Sequence, residues 1–181
     1  MTNNAHIWTD AQDLRDHIDV LRRNMGTRYG TPGRKNYNRV VMTSGGFDPL
    51  HVGHLECIQA SAEIADAGIL VVVVNGDGFL NNKKGYAFMD AESRCKIVSA
   101  IKGVDHVLLY EHPTDMTVCH PIEVIKPKFF TKGGDRDSSA NVPEFEVCER
   151  IGTEVIFRVG GGKIQSSSEL VGNAMRVEKN V

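Results

Sequence analysis

The sequence predicts an α/β fold, a Rossmann-like parallel sheet flanked by helices, arranged as a single domain with an N-terminal helical arm. The run at residues 69–74 consists only of Ile, Leu and Val, which is typical of a strand buried on both faces of a sheet. Along the rest of the chain, segments of strand length alternate with segments of helical periodicity. Strands joined by helices imply parallel pairing with right-handed crossovers.

The individual helices and strands are predicted from the periodicity of hydrophobic residues and from residues typical of helix ends and turns. Residues 9–24 predict an amphipathic helix with Leu14, Ile18 and Leu21 on one stripe, and residues 25–38 predict a linker rich in Gly, Arg, Asn and Pro. The chain is accordingly divided into residues 1–38, an N-terminal helix and linker, and residues 39–181, the main domain. Strands are expected at 39–44, 69–74, 104–110, 128–131 and 154–159. Helices are expected after about residue 53, after Asp90, and at 114–126, 143–152 and 166–177.

Composition narrows the class of protein. A chain of 181 residues with 41% hydrophobic content can bury one ordinary core. The formal charge of −2 and the lack of any Lys/Arg run of five argue against a nucleic-acid partner. No stretch approaches 18 consecutive apolar residues, and the N-terminus lacks a basic region followed by an apolar one, so no membrane partner and a cytoplasmic location are expected. The four cysteines form no C-x-x-C pair and are expected to be reduced.

The most informative segment is the glycine–histidine loop, residues 45–54, which lies between a predicted strand and a predicted helix. Its glycines let the backbone approach a ligand closely, and the unpaired N–H groups of a helix N-terminus attract anions. His51 and His54 are three positions apart, so both rings lie over the first helical turn and can donate hydrogen bonds to phosphate oxygens. The loop therefore predicts a phosphate site. The residues assigned to it as nucleotide contacts are Gly45, Gly46, Phe47, Asp48 and Gly53.

The pattern G-x-F-D-x-x-H-x-G-H in this loop resembles the signature of the cytidylyltransferase-like nucleotidyltransferases. The resemblance extends from about Val40 to about Lys179, and within the family it is strongest to heptose-1-phosphate adenylyltransferase domains. It implies transfer of a nucleoside monophosphate from ATP to a heptose-1-phosphate-like sugar phosphate, with release of pyrophosphate. Two alternatives remain: a CTP-dependent cytidylyltransferase acting on glycerol-3-phosphate or a related polyol phosphate, and a non-catalytic nucleotide-binding protein.

Two further loops at the carboxyl ends of predicted strands are candidates for ligand contact, because ligands of parallel α/β sheets bind at that edge. The loop at residues 75–78 contains Asp77, which is either a turn residue or a contact with substrate or magnesium. The loop after the strand at 128–131 resembles the K-G-G-D element that meets the nucleotide in heptose adenylyltransferases. Its residues are Lys132, Gly133, Gly134 and Asp135.

The last candidate loop has three glycines shortly before three serines at the start of a helix. Ser166, Ser167 and Ser168 offer hydroxyl groups together with free N–H groups, which suits the β- and γ-phosphates of a nucleoside triphosphate. A single N-cap serine would account for only one of them. The family has a Ser/Thr-rich element in this place.

The resemblance also supplies basic residues. It places Lys84, with Lys83 beside it as a substrate contact, on a mobile loop that closes over the substrate, and it places Arg94 on the following helix, facing the triphosphate. The implied catalytic residues are thus His51, His54, Lys84 and Arg94. One departure concerns residues 86–88, Tyr-Ala-Phe, where heptose enzymes usually carry Arg-Pro; the acceptor pocket is therefore expected to differ.

A magnesium ion is the expected cofactor. Mg²⁺ retains much of its water shell and commonly binds through substrate phosphates, so no metal-ligating residues of the protein are assigned. The expected binding partners are a nucleoside triphosphate and a sugar- or polyol-phosphate, and a homodimer is compatible with the sequence.

Overall fold

The structure is a computed structural model that describes residues 4–24, 35–134, 142–162 and 164–178. Within these ranges the chain forms six strands and seven helices. The strands are β1 (His6–Trp8), β2 (Val40–Gly45), β3 (Ile69–Asn75), β4 (His106–Tyr110), β5 (Phe129–Gly133) and β6 (Glu154–Val159). The helices are α1 (Ala11–Asn24), α2 (Val52–Ala65), α3 (Asp77–Lys84), α4 (Ala91–Ser99), α5 (Cys119–Ile125), α6 (Phe145–Ile151) and α7 (Ser167–Glu178).

The six strands form one parallel sheet in the order β1-β4-β3-β2-β5-β6. β3 is buried along its whole length, as its β-branched sequence predicts. The chain proceeds from β2 outward through β3 and β4, and then returns to place β5 on the other side of β2. This reversal creates a crevice at the carboxyl ends of β2 and β5, the position where such sheets bind ligands.

Helices cover both faces of the sheet. On one face α1, α5 and α6 pack on a cluster that includes Met42 and Val71, and on the other face α2 and α4 pack on a cluster that includes Val41 and Val72. Alternate residues of β2 and β3 thus serve opposite layers of the core. The predicted α/β class, with a Rossmann-like parallel sheet flanked by helices, is confirmed.

The N-terminal segment contributes more than the predicted helix and linker. Residues 6–8 form β1, which pairs with β4, and the indole Nε1 of Trp8 donates to Nδ1 of His106 at 3.2 Å. Leu14 and Ile18 of α1 are fully buried in the core. The strand was not predicted, because three residues are too few to show a period. Residues 6–8 therefore belong to the sheet, and α1 packs on one of its faces.

Two other elements differ from prediction. Residues 77–84, expected to be loop, form helix α3, which ends at Gly85 with φ of 84°. The helix expected from residue 114 begins only at Cys119. The reason is that side chains accept hydrogen bonds from the backbone N–H groups before Cys119. Nδ1 of His112 accepts from the Asp115 N–H at 2.8 Å, and the Asp115 carboxylate accepts from the Thr117 N–H at 2.8 Å. In the described part of the chain, no helix has the length and apolar character needed to cross a membrane.

Candidate active site

A pocket of about 720 Å³ lies over the carboxyl ends of β2 and β5. Its walls combine the glycine–histidine loop, helix α3, the Lys-Gly-Gly segment at the end of β5, and the residues before and at the start of α7. Candidate loops that are far apart in sequence therefore meet in one place. Asp135 of the K-G-G-D element lies outside the described residues, so its assignment stays a prediction.

The two imidazoles lie together at the start of α2. His51 is the N-cap residue of this helix, and its ring stacks on that of His54 with 3.8 Å between centroids and 20° between planes. Nδ1 of His54 accepts from the backbone N–H of His51 at 3.4 Å. Since Nδ1 accepts, the hydrogen of the neutral His54 ring is on Nε2, which is then the available donor.

Burial favours the neutral form of both rings. It lowers the pKa of His54 to about 4, and repulsion from the protonated form of His51 and from Lys84 adds to this effect. Burial also lowers the pKa of His51. Its Nδ1 is buried and has no hydrogen-bond partner among the described residues. A buried polar atom without a partner costs free energy, so a ligand that bonds to this atom is favoured.

Asp48 organises the loop from inside the protein. This predicted nucleotide contact lines the pocket, and its fully buried carboxylate accepts from the backbone N–H groups of Phe88 and Met89, both at 2.7 Å. Burial by itself would raise the pKa of Asp48, but the hydrogen bonds from Lys84, Phe88 and Met89 outweigh it and lower the pKa. The carboxylate thus ties the glycine–histidine loop to the segment between α3 and α4.

Lys84 lines the pocket, as expected, but as the last residue of helix α3 and not on a loop. Its Nζ donates to the carbonyl of Asp48 at 2.7 Å and to the carboxylate of the same residue at 2.9 Å. Lys83, the neighbouring substrate candidate, is exposed at the rim, where its Nζ lies 5.6 Å from the centre of the Phe79 ring.

The predicted role of Arg94 at the triphosphate is not supported by its position. Its side chain is fully buried behind the pocket wall, where its guanidinium donates to the carbonyls of Gly46 and Asn75, both at 2.6 Å. It also pairs with the Asp77 carboxylate at 2.6 Å. Asp77 therefore holds Arg94 and the start of α4, and it is not among the residues that line the pocket. Together the pair positions the loops that follow β2 and β3.

The serines at the start of α7 have three different environments. Oγ of Ser166 accepts from the Glu169 N–H at 3.2 Å and caps the helix, whereas Ser167 Oγ donates to the carbonyl of Pro49 at 2.9 Å. Ser168 is exposed on the pocket side. The Ser167 bond attaches the start of α7 to the glycine–histidine loop, so two helix N-termini face one pocket.

Glycines allow the remaining close approaches. A Cβ on Gly160, which has φ of 81°, would lie 2.6 Å from the backbone nitrogen of Cys57 in α2. A Cβ on Gly133 would lie 2.7 Å from the Cys57 sulfur. Only glycine allows these two turns to pack directly against α2. Beside them Nζ of Lys132 donates to Oγ of Ser44 at 3.2 Å.

The pocket also contains two polar residues that were not assigned to the site from the sequence. Asn75 ends the valine-rich strand β3 and Glu144 immediately precedes α6; both side chains are buried, and both line the pocket. The polar end of an otherwise apolar strand was the only signal for Asn75. Nothing in the local sequence distinguished Glu144 from a surface carboxylate.

These features define a class: an α/β protein whose pocket lies at the carboxyl edge of a parallel sheet, between two helix N-termini of the kind that attract anions, with two stacked imidazoles over one of them. The model of the cytidylyltransferase-like family matches residues 42–157, and the chain belongs to this family. The predicted family resemblance is confirmed.

Individual relatives agree with this membership. The chain is 30% identical over 159 residues to the bifunctional protein HldE of Citrifermentans bemidjiense, and the aligned region covers 87% of this chain and 29% of the relative. It is 34% identical over 116 residues to the protein of the same name from Koribacter versatilis, covering 63% of this chain and 23% of the relative. The chain thus spans less than a third of the length of these curated relatives.

Two solved structures share the fold. The lipopolysaccharide core biosynthesis protein from Thermoplasma volcanium is 30% identical, with a TM-score of 0.56, and the match covers 67% of this chain and 95% of that protein. A macrolide-efflux protein from Streptococcus pneumoniae is 17% identical, with a TM-score of 0.53 over 91% of this chain and 52% of that one, and this match shows the fold alone.

Proposed function

We propose that the chain is an adenylyltransferase that transfers AMP from ATP to a heptose-1-phosphate-like sugar phosphate and releases pyrophosphate. The observation that carries the proposal is the stacked pair of neutral imidazoles, His51 and His54, at the N-terminus of α2. The similarity to bifunctional HldE proteins and to a lipopolysaccharide core biosynthesis protein supports a sugar phosphate as the acceptor. A pocket of about 720 Å³ is of the size that holds small-molecule substrates.

In the proposed reaction an oxygen of the acceptor phosphate attacks the α-phosphorus of ATP in line. The new P–O bond forms as the bond to the leaving pyrophosphate breaks, and no covalent enzyme intermediate is required. The transition state carries additional negative charge on the α-phosphate and on the leaving oxygen. Positioned N–H donors stabilise that charge without having to reorganise, which is the main contribution the residues of this site offer.

The donors have separate tasks in this proposal. His54 donates from Nε2 to the α-phosphate, and His51 serves the phosphates nearer the leaving group. The N–H groups at the start of α7, with Ser167 and Ser168, hold the β- and γ-phosphates. Lys84 adds positive charge at the pocket wall, while Arg94 acts indirectly by fixing the loops that follow β2 and β3.

Magnesium is proposed to enter with the triphosphate, where it neutralises phosphate charge. In the described ranges no group of three His, Cys, Asp or Glu side chains is placed to hold a metal ion. The nearby carboxylate of Asp48 already binds Lys84 and two amides. This donor set fits an ion held by phosphate oxygens and water. A cytoplasmic location is part of the same proposal.

The experiment is pyrophosphate release from each of four nucleoside triphosphates against a panel of sugar and polyol phosphates. We expect ATP with a sugar 1-phosphate to exceed CTP by at least about tenfold in kcat/KM, a difference of about 1.4 kcal/mol that one or two hydrogen bonds to the base can supply. Higher activity with CTP and glycerol-3-phosphate would replace the assignment by a cytidylyltransferase. Tight ATP binding without turnover of any acceptor would indicate a nucleotide-binding protein.

A further inference from the structure

Three buried polar side-chain atoms have no hydrogen-bond partner among the described residues, and all three belong to residues that line the pocket. They are Nδ1 of His51, Oδ1 of Asn75 and Oε2 of Glu144. Unpaired buried polar atoms are rare because each costs free energy. Their concentration in one pocket indicates that a ligand completes their bonding. His51 belongs to the phosphate site, but a carboxylate has no place there.

Glu144 is held in one orientation. Its side chain is only 7% exposed, and Oε1 accepts from the backbone N–H of Val118 at 3.3 Å. Oε2 lies 3.6 Å from Nζ of Lys132, a charge contact longer than a hydrogen bond. One carboxylate oxygen is therefore fixed by the protein, and the other keeps its capacity to accept a hydrogen bond in the pocket.

The position of Glu144 separates it from the phosphate-binding groups. It precedes α6, which packs on the face of the sheet with α1 and α5, whereas the imidazoles belong to α2 on the opposite face. The two groups meet only at the carboxyl edge of the sheet. A carboxylate repels phosphate and accepts hydrogen bonds from hydroxyl groups. A substrate is thus oriented with its phosphates toward α2 and a hydroxyl-bearing part toward Glu144.

We propose that Glu144 is a specificity-determining residue that accepts a hydrogen bond from a sugar hydroxyl of a bound substrate. The hydroxyl belongs to the acceptor sugar or to the ribose of the nucleotide, and the chemistry of recognition is the same for both. The inference rests on the proposed function, because it deepens the description of the same site.

The test compares Glu144→Gln with Glu146→Gln, a matched change at an exposed carboxylate of α6. Removing a charge-assisted hydrogen bond to a hydroxyl is expected to raise one substrate KM by about tenfold in Glu144→Gln. Neither KM changes in Glu146→Gln. Glu144→Asp, which keeps the charge but shortens the side chain, gives the same readout should the Gln variant not fold. Unchanged KM values for both substrates in a folded variant would overturn the inference.

Deoxy substrates identify the hydroxyl. The compounds tested are deoxy acceptors, 2′-deoxy-ATP and 3′-deoxy-ATP. With one of them the wild-type protein is expected to lose about tenfold in kcat/KM relative to the normal substrate. Glu144→Gln is expected to lose less than twofold with the same compound. A loss of equal size in both proteins for every deoxy compound would contradict the contact. The two proposals fail differently: a wild-type protein without turnover overturns the proposed function, and an active wild type with an unaffected variant overturns only the role of Glu144.

Discussion

The carboxylate of Asp48 and the ammonium group of Lys84 form an ion pair of 2.9 Å at the pocket wall, and the carboxylate has no exposed surface. The two residues are 36 positions apart and join the glycine–histidine loop to the end of α3. The arrangement of the loop that carries His51 and His54 therefore depends on this ion pair.

Replacing Asp48 by Asn is expected to lower the free energy of unfolding by about 2–4 kcal/mol. The reason is that the Lys84 ammonium group and the backbone N–H groups of Phe88 and Met89 lose the carboxylate that accepts their hydrogen bonds. Urea unfolding measures the change. Lys84→Met and the double variant complete a cycle, in which the double variant is expected to be less destabilised than the sum of the single changes. Simple additivity would show that the pair contributes nothing to stability.

His54→Ala is expected to lower kcat by roughly a hundredfold or more while the protein remains folded, because it removes a donor whose bond strengthens in the transition state. Steady-state rates at saturating substrate and the circular dichroism spectrum provide the measurement. His120→Ala, at an exposed imidazole outside the pocket, is the control. A His54 variant with normal kcat would remove this residue from the mechanism.

Arg94→Lys is expected to destabilise the protein by about 3–5 kcal/mol, because lysine cannot reproduce the planar group that bonds Gly46, Asn75 and Asp77 together. The thermal midpoint and the nucleotide affinity of the folded fraction are both measured. A variant of normal stability that has lost only triphosphate affinity would instead place Arg94 at the phosphates, as the family resemblance had implied.

Ser167→Ala is expected to weaken ATP binding more than AMP binding, since its bond to Pro49 holds the start of α7 against the glycine–histidine loop. A loss of about three- to tenfold for ATP corresponds to one hydrogen bond. Calorimetric titration of both nucleotides provides the values. Equal losses for ATP and AMP would separate this serine from the β- and γ-phosphates.

Acid is expected to destabilise the protein well before the carboxylates titrate. Burial lowers the pKa of His106 to about 4, with a further contribution from His17. The unfolded chain binds a proton near pH 6.5, the folded chain only near pH 4, so stability is complete above pH 6.5 and falls between these values. His54 acts in the same direction.

The contribution of His106 is measurable by urea unfolding at pH 7.5 and pH 5. His106→Asn is expected to lose about 2 kcal/mol less over this interval than the wild type, since Asn has no proton to take up. The side-chain oxygen of Asn retains an acceptor for the Trp8 indole. Identical losses in the two proteins would show that His106 is not the titrating group.

The geometry of the glycine–histidine loop could be predicted because it is local. Strand, glycine-rich turn and helix follow one another within residues 40–65, and the spacing of His51 and His54 fixes their meeting on one helical turn. The bounds of β6, residues 154–159, were likewise predicted directly from a continuous strand pattern between turn signals.

Long-range partners could not be predicted. A sequence shows that Asp77 and Arg94 are charged, but only the packed structure shows that they bind each other and do not line the pocket. The same applies to Glu144, whose contacts come from Val118 and Lys132. Charged residues of the same type can contact substrate or can stabilise loops from inside the protein, and which of the two they do depends on tertiary packing.

The short strand β1 has a consequence for the behaviour of the protein at high concentration. It pairs with residues 106–108 of β4, a strand of five residues whose backbone N–H and C=O groups would otherwise form the sheet border. A border formed by three residues offers other chains a much poorer template for intermolecular pairing. Removal of the first ten residues is therefore expected to expose the edge of β4 and to promote self-association, which turbidity on storage would report.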